Sequence, residues 1–214
     1  MFSNRIIETT HNHLYTAKPI EFDTRPAEVT TFIPQLYPNL TEELNTYTKS
    51  LRGKDTHRLI KNYVDIDFFE YPFVTCLRQD KNIVGFSTGY TRDFYRENDI
   101  RILTRYYQDS QKLRTKFTRE ILRPTTFNII VQQLEMAKRL GYDNCFISRE
   151  PRTTAFFKKF IDAVNSATSY TWELKEGPFL VAPDPPNPEC WQTIAVTNLK
   201  ESDTQDFWKY WRTE

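Results

Sequence analysis

The sequence predicts a mixed α/β fold, in which one sheet contains both antiparallel and parallel strands and carries helices on its faces. Two β-rich runs within residues 73–90 flank a short polar turn, as in an antiparallel hairpin. Residues 100–148 then read as strand, helix and strand, an order that requires a parallel crossover. The chain has 214 residues with 39% hydrophobic and 15% aromatic content, which is enough for a folded core.

Before the hairpin, residues 1–26 form a polar N-terminal extension that is predicted to be irregular. Residues 27–37 and 40–52 are predicted to form two short helices. Asn39 or Thr41 is suited to cap the second helix, because side-chain oxygens accept hydrogen bonds from the first free N–H groups. Glu42 and Glu43 favour its first turn, and Gly53 is placed to end it.

The hairpin is predicted from β-branched and aromatic residues around Val74 and Cys76 and around Ile83 and Gly85, with a turn at 79–82. A third strand is predicted over 100–108. Its alternation places one set of side chains on one face and a second set on the other. The two sets are Ile100, Ile102 and Thr104, and Arg101, Leu103 and Arg105.

Residues 124–140 predict an amphipathic helix that begins at Pro124 with Thr125 or Thr126 and ends at Gly141. Its apolar stripe contains Phe127, Ile130, Val131, Leu134 and Ala137. Further elements are predicted downstream. They are a strand at 144–148, a helix at 152–165 with Phe156, Phe160, Ala163 and Val164 on one stripe, late strands within 170–175, 179–182 and 190–196, and a helical tail within 198–214 docked by Phe207, Trp208 and Trp211.

Positive charge is concentrated in one part of the chain. The net charge is +1, but residues 101–125 carry seven basic and two acidic side chains, a local charge of +5. The stretch "SQKLRTKFTREILRPTTFN" (110–128) contains no glycine. Clustered basic charge favours an anionic partner. Three interpretations remain open for this stretch: a solvated basic surface, a site for a phosphate-bearing ligand, and a surface for a protein or nucleic acid.

Several classes of protein are disfavoured. The three cysteines form no Cys-x-x-Cys pattern, so a disulfide framework or zinc site is not expected, and no metal is predicted. The N-terminus lacks an apolar signal region, and no apolar run approaches the roughly 20 residues that span a bilayer. We therefore expect a soluble, cytoplasmic protein with no membrane partner.

The order of elements over residues 27–197 resembles the GNAT superfamily of acyl-CoA-dependent N-acyltransferases. "NIVGFSTGY" looks like the family's third strand and "DIRILTRYY" like its fourth. "PTTFNIIVQQLEMAKRLGY" is similar to its long third helix, "NCFIS" to its fifth strand and "TTAFFKKF" to its fourth helix. "CWQTIAV" resembles GNAT-like proteins encoded by bacteriophages. The resemblance implies a GNAT-like fold and an acetyl-CoA cofactor.

The sequence departs from the family at its phosphate loop. The family places glycines between the fourth strand and third helix so that backbone N–H groups reach the coenzyme A pyrophosphate. Here a basic insertion of about sixteen residues (109–124) replaces that loop, and no glycine lies between 90 and 140. Arginine–phosphate contacts could substitute for backbone N–H groups. The resemblance therefore assigns cofactor binding to Arg114, Lys116 and Arg123, with N–H groups at Thr125 and Thr126.

The resemblance also suggests catalytic residues. Asp99, at the start of the fourth strand, matches the family's general base, and Glu97 matches it less well. Asp99 is expected to face Tyr90 and Asp93 across the hairpin. A backbone N–H within Leu103, Thr104 and Arg105 would stabilise the oxyanion. Phe157 occupies the position of the family's acidic tyrosine and has no proton to donate. We expect either an N-acetyltransferase whose amine substrate is unknown, or a degenerate domain, of phage type, that binds or assembles through the basic 110–123 stretch. A nucleic acid partner is not favoured.

Overall fold

A computed structural model describes residues 7–9, 27–51, 66–79, 81–91, 98–107, 118–149, 154–178, 191–200, 204 and 207–209. The chain forms two compact units. The first contains residues 1–90 and 104–136, and the second contains residues 91–103 and 137–214. The boundary therefore falls inside one strand and one helix.

The strands of the first unit pair antiparallel in chain order. They are β1 (Ile7–Thr9), β2 (Glu28–Phe32), β3 (Phe73–Gln79) and β4 (Asn82–Tyr90). The predicted hairpin is confirmed as β3 and β4. The turn residue Lys81 has a φ of 68°, the left-handed conformation that tight hairpin turns require. β1 lies within the extension that was predicted to be irregular.

The helix predicted over 27–37 is wrong. Residues 28–32 form β2, and a 3₁₀ turn follows at Pro34–Leu36. β-branched Val29, Thr30 and Thr31 fit a pleated strand, and pairing with β3 satisfies the backbone of this segment. The second predicted helix is confirmed as α1 (Pro38–Ser50). Tyr37 occupies its N-cap position, and the Thr41 hydroxyl donates to the carbonyls of Pro34 and Tyr37 instead of capping.

The long helix α2 (Thr118–Arg139) begins six residues before the predicted start. Pro124 lies within it. A proline in a helix removes one hydrogen bond, but burial of the following turns outweighs that loss. From residue 127 onward α2 is buried on more than its apolar stripe, since Gln132 and Gln133 are at most 1% exposed.

Gln133 connects α2 to the sheet of the first unit. Its Nε2 atom donates to the hydroxyl oxygens of Thr75 and Ser87, at 3.0 Å each, and Thr75 also bonds Thr31 at 2.8 Å. Gln132 donates to the carbonyl of Val29 at 2.8 Å. Side chains on the polar positions of α2 therefore fix the helix to three strands.

The strands of the second unit are ordered β5–β6–β8–β7. They are β5 (Asp99–Tyr107), of which residues 99–103 belong to this unit, β6 (Asn144–Arg149), β7 (Trp172–Pro178) and β8 (Trp191–Asn198). β5 and β6 are parallel, as the strand–helix–strand order predicted, and β8 is antiparallel to both β6 and β7. The predicted mixed α/β fold is confirmed. The strand predicted at 179–182 and Trp211 lie outside the described residues.

The helix α3 (Thr154–Ala167) follows β6, close to its predicted bounds. Phe157, Ile161 and Val164 are its buried residues, at most 3% exposed, while the side chains of Phe156 and Phe160 are outside the described part. Asn165 ties α3 to β7, because its side chain accepts from the Trp172 N–H at 2.8 Å and donates to the Trp172 carbonyl at 3.2 Å.

Gly141 ends α2 as the sequence predicted. Its φ is 86°, and the N–H groups of Gly141 and Tyr142 bond the carbonyls of Lys138 and Ala137 at 3.1 Å each. This is the Schellman arrangement, in which a left-handed residue closes the helix.

Changing Gly141 to alanine is expected to lower the free energy of unfolding by about 1–2 kcal/mol, because a Cβ is strained in the left-handed region. Space is not the cause, since a Cβ at Gly141 would meet nothing within 4 Å. Denaturant unfolding measures the loss. Gly141→Asn is the matched control and should lose less, because asparagine tolerates this conformation; equal losses would contradict the explanation.

Candidate functional site

The parallel strands β5 and β6 separate after three paired positions. The partners are Asp99 with Asn144, Ile100 with Cys145, and Arg101 with Phe146. Ile102 and Ile147 come next and are both described, yet they are not partners. β6 remains paired with β8 as far as Arg149. We call the opening beyond Arg101 and Phe146 the β5/β6 fork.

Divergence of two parallel strands removes the bonds that would join their facing backbone groups. Such groups must then bond water, side chains or a ligand. Leu103, Thr104 and Arg105, the predicted oxyanion donors, follow Ile102 along β5. The structure describes these residues as part of a strand but does not describe their side chains. Their role as oxyanion donors stays a prediction.

A side-chain hydrogen bond crosses the mouth of the fork. The Nη2 atom of Arg101 donates to the Oγ atom of Ser148, which lies two residues beyond Phe146 on β6. Registered partners share a face of a sheet, so Arg101, Phe146 and Ser148 project from the same face. A charged donor and a hydroxyl therefore lie where the two strands separate.

The same sheet face is covered by residues near the C-terminus. Phe146 is fully buried, and its ring centroid lies 5.3 Å from that of Phe207. Phe207 in turn packs edge-to-face on Trp208, with ring centroids 5.2 Å apart. The prediction that Phe207 and Trp208 dock the tail is confirmed, since both are at most 2% exposed.

Asp99, the predicted general base, is fully buried at the start of β5. Its Oδ1 atom accepts a hydrogen bond from Asn144 Nδ2 at 2.7 Å. Asn144 accepts from Asn198 Nδ2 at 3.0 Å, and Asn198 accepts from the Lys200 N–H at 2.9 Å. A chain of amides thus runs from the surface loop after β8 to the Asp99 carboxylate.

A second set of bonds closes this end of the sheet. The N–H groups of Asp143 and Asn144 bond the Asn98 carbonyl, at 2.7 and 3.3 Å. The Asp143 carboxylate forms an ion pair with Lys200 and accepts from the Asn98 amide. Asp99 therefore sits in a hydrogen-bonded frame. A carboxylate with no exposed surface can exchange a proton with a substrate only through an intervening water or after local opening.

Tyr90, the other predicted catalytic residue, belongs to the first unit and ends β4. It is half-buried, and its ring centroid lies 6.0 Å from that of Tyr71. Asp93, which was expected near it, lies outside the described residues. The catalytic role of Tyr90 stays a prediction.

The predicted phosphate-binding residues divide into two groups. Arg114 and Lys116 lie outside the described residues. Arg123, Thr125 and Thr126 lie inside α2, as its sixth, eighth and ninth residues. The prediction that Thr125 and Thr126 form a helix N-terminus is therefore wrong, because N–H groups within a continuous helix are directed at carbonyls four residues earlier. Thr125 and Thr126 therefore do not offer the free N–H groups of a helix start to a pyrophosphate.

Phe157 and Cys145 are core residues. Phe157 is 3% exposed, in keeping with a packing role at the position where the resembled family has a tyrosine. Cys145 is fully buried, and burial, with a smaller effect of Asp99, raises the pKa of its thiol well above the ordinary value. A thiol with a raised pKa is a poor nucleophile.

Among the described residues, no group of three or more histidine, cysteine, aspartate or glutamate side chains is placed to hold a metal ion. His11, His13 and His57 lie outside those residues. None of the helices in the described part of the chain is both long and apolar enough to cross a membrane.

Sequence reasoning missed Asn144, Asn198 and Ser148. Asn144 and Ser148 stand in a strand dominated by apolar residues, and buried polar residues need partners. Polar residues within an apolar strand were therefore the signal that could have identified Asn144 and Ser148. The partners could not be named, because they lie on strands that are distant in sequence.

No protein-family model matches the chain. No curated protein matches it either. Among solved structures, 96 chains match in fold.

Three of them illustrate the similarity. Diaminobutyrate acetyltransferase from Paenibacillus lautus, solved with its substrate L-2,4-diaminobutyric acid and coenzyme A, is 14% identical; the match covers 83% of this chain and 98% of that one, with a TM-score of 0.43. IAA acetyltransferase from Bacillus cereus is 10% identical (80% and 99% covered, TM-score 0.43). The ribosomal-protein-S18-alanine N-acetyltransferase from Escherichia coli is also 10% identical (77% and 92% covered, TM-score 0.41). Similarity at this level does not assign a reaction.

Proposed function

We propose that this protein is a GNAT-like N-acyltransferase that transfers an acetyl group from acetyl-CoA to an amine. The observation that carries the proposal is the β5/β6 fork, in which two parallel strands stop pairing after Arg101 and Phe146 although both continue. A fork of this kind offers unpaired backbone groups to an extended, amide-containing ligand such as the pantetheine part of coenzyme A.

Acetyl-CoA would supply an activated acyl thioester, and the chain would position it and handle protons. A backbone N–H within Leu103, Thr104 and Arg105 would donate to the carbonyl oxygen as negative charge develops there. Asp99 would accept the proton of the amine through a bridging water, because its carboxylate is fully buried. Tyr90 is the second residue to which we assign a catalytic role. The buried Phe157 leaves the proton for the departing thiolate to solvent or another tyrosine.

The phosphates of the cofactor would be held by charge instead of a glycine loop. Arg114, Lys116 and Arg123 belong to the stretch with a local charge of +5. A hydrogen bond to a charged group contributes about 1.5–3 kcal/mol, so one or two arginine–phosphate contacts would replace the lost backbone bonds.

A second candidate is a catalytically degenerate domain, of phage type, that binds or assembles with a protein through the basic 110–123 stretch. The Arg101–Ser148 hydrogen bond favours it, because this bond crosses the place where an acyl chain would lie. The packing of Phe207 on Phe146 also favours this candidate, because the Phe207 ring covers part of the same sheet face.

Calorimetry with acetyl-CoA separates the two candidates. We expect micromolar binding that weakens with salt, and an Arg114→Ala, Arg123→Ala variant that binds about tenfold or more weaker for each lost contact. Lys138→Ala, Arg139→Ala is the matched control, since it removes the same charge from the last turn of α2. No binding to wild type at millimolar acetyl-CoA would rule out the acyltransferase and leave the binding protein.

A further inference from the structure

Four side chains form one row across the sheet of the second unit. Glu173 of β7 is registered with Val196 of β8, Val196 with Phe146 of β6, and Phe146 with Arg101 of β5. Registered partners project from the same face. The row therefore runs from the edge strand β7 to the last paired position before the β5/β6 fork.

Residues close to the C-terminus lie along this row. At one end, the Glu173 carboxylate accepts hydrogen bonds from the Thr204 hydroxyl and from Trp208 Nε1, the latter at 2.7 Å. Toward the other end, Phe207 packs on Phe146. We call Thr204 and residues 207–209 the C-terminal cover.

The attachment at Glu173 is polar and partly exposed, in contrast to the buried ring of Phe207. Lys175 pairs with the other carboxylate oxygen of Glu173 at 2.9 Å, and its ammonium group lies 4.5 Å from the Trp208 ring centroid. Glu173 and Lys175 are 40% and 35% exposed. One solvent-accessible carboxylate thus accepts hydrogen bonds from two residues of the cover, Thr204 and Trp208.

We propose that the C-terminal cover is a detachable gate. It lies along the row that ends at the β5/β6 fork, and Glu173 holds it closed. Its release admits acyl-CoA to that face of the sheet. The gating role rests on the proposed acyltransferase function, whereas detachment of the cover does not. Release frees Phe146, which shares its sheet face with Arg101 and Ser148.

The charge of Glu173 is part of the attachment. Partial burial alone would raise the pKa of its carboxyl group. Hydrogen bonds from Thr204, Lys175 and Trp208 lower the pKa by more than burial raises it, so the net shift is downward. A lowered pKa means that the ionised carboxylate is favoured in the closed form. The stabilisation is present above the ordinary glutamate pKa and is lost as the pH falls through the lowered value.

Hydrogen exchange of the full chain tests detachment. Glu173→Gln removes the charge, and Trp208→Phe removes the Nε1 donor together with part of the buried ring. Each is expected to raise exchange in Thr204 and residues 207–209 about tenfold. Exchange in β6 and β8 should stay at the wild-type rate. Lys158→Gln is the control, since it breaks the Lys158–Glu176 ion pair on the other face of β7. Unchanged exchange in the cover, or an equal rise in β6 and β8, would overturn the proposal.

Calorimetry on the same variants tests gating. If only the open form binds, the dissociation constant for acetyl-CoA falls by the same factor by which cover exchange rises. Faster exchange with an unchanged dissociation constant would overturn gating and leave a detachable segment of another role. If neither wild type nor variants bind at millimolar acetyl-CoA, the acyltransferase proposal falls and gating falls with it, while the exchange data still decide detachment.

Discussion

Replacing Phe146 with alanine is expected to lower the free energy of unfolding by about 3–5 kcal/mol, the usual loss for a large buried aromatic side chain. Phe146 has no exposed surface and packs on Phe207. β6 is also paired on both sides at this position, with Arg101 on β5 and Val196 on β8, so the backbone cannot collapse readily into the cavity.

Denaturant unfolding monitored by far-ultraviolet circular dichroism measures this loss. Phe146→Leu is the matched variant and should lose less than about 1.5 kcal/mol, because leucine fills most of the volume without a new polar group. Losses below 1 kcal/mol for alanine would contradict the tight packing of Phe146. A stable alanine variant that gains acetyl-CoA binding would show that the ring obstructs the β5/β6 fork.

Asp99→Asn is expected to lower kcat/KM for acetyl transfer by about 10²–10⁴-fold, the range for loss of a positioned proton acceptor. Its effect on stability should be small. Asparagine keeps an Oδ1 atom that can accept the bond from Asn144 Nδ2, so the amide chain through Asn198 survives. The substitution therefore separates the chemistry of the carboxylate from its structural bond.

Initial rates with a panel of amines, together with unfolding curves, provide the measurement. Asp143→Asn is the control, because Asp143 lies at the same end of the sheet and bonds Asn98 and Lys200. Full activity in Asp99→Asn would mean that Asp99 only anchors the frame. Asp99→Ala should then lose stability but not chemistry, since it leaves the buried Asn144 amide without its acceptor.

The local pattern of the sequence was sufficient for much of the fold. The β3–β4 hairpin was predicted because β-branched runs flank a short polar turn, and Gly141 was recognised as the end of α2 because a left-handed residue is needed there. The parallel pairing of β5 and β6 followed from the strand–helix–strand order. These features depend on residues that are close in the chain.

The errors arose where tertiary context overrode local preference. Residues 28–32 read as helical, but pairing with β3 makes them a strand. Pro124 was expected to begin a helix, yet α2 continues through it because the turns after residue 127 are buried on several sides. Local preferences amount to tenths of a kcal/mol per residue, and burial of large side chains outweighs them.

By itself the sequence determined the mixed α/β class, the parallel crossover, and the absence of glycine where the resembled family binds pyrophosphate. Only the tertiary structure decided which polar residues meet. Asn144 bonds Asp99, Ser148 bonds Arg101, and Glu173 receives Thr204 and Trp208 because strand register and sheet order bring them together. Register is a long-range property: it depends on the cooperative packing of strands far apart in the chain, which no local pattern specifies.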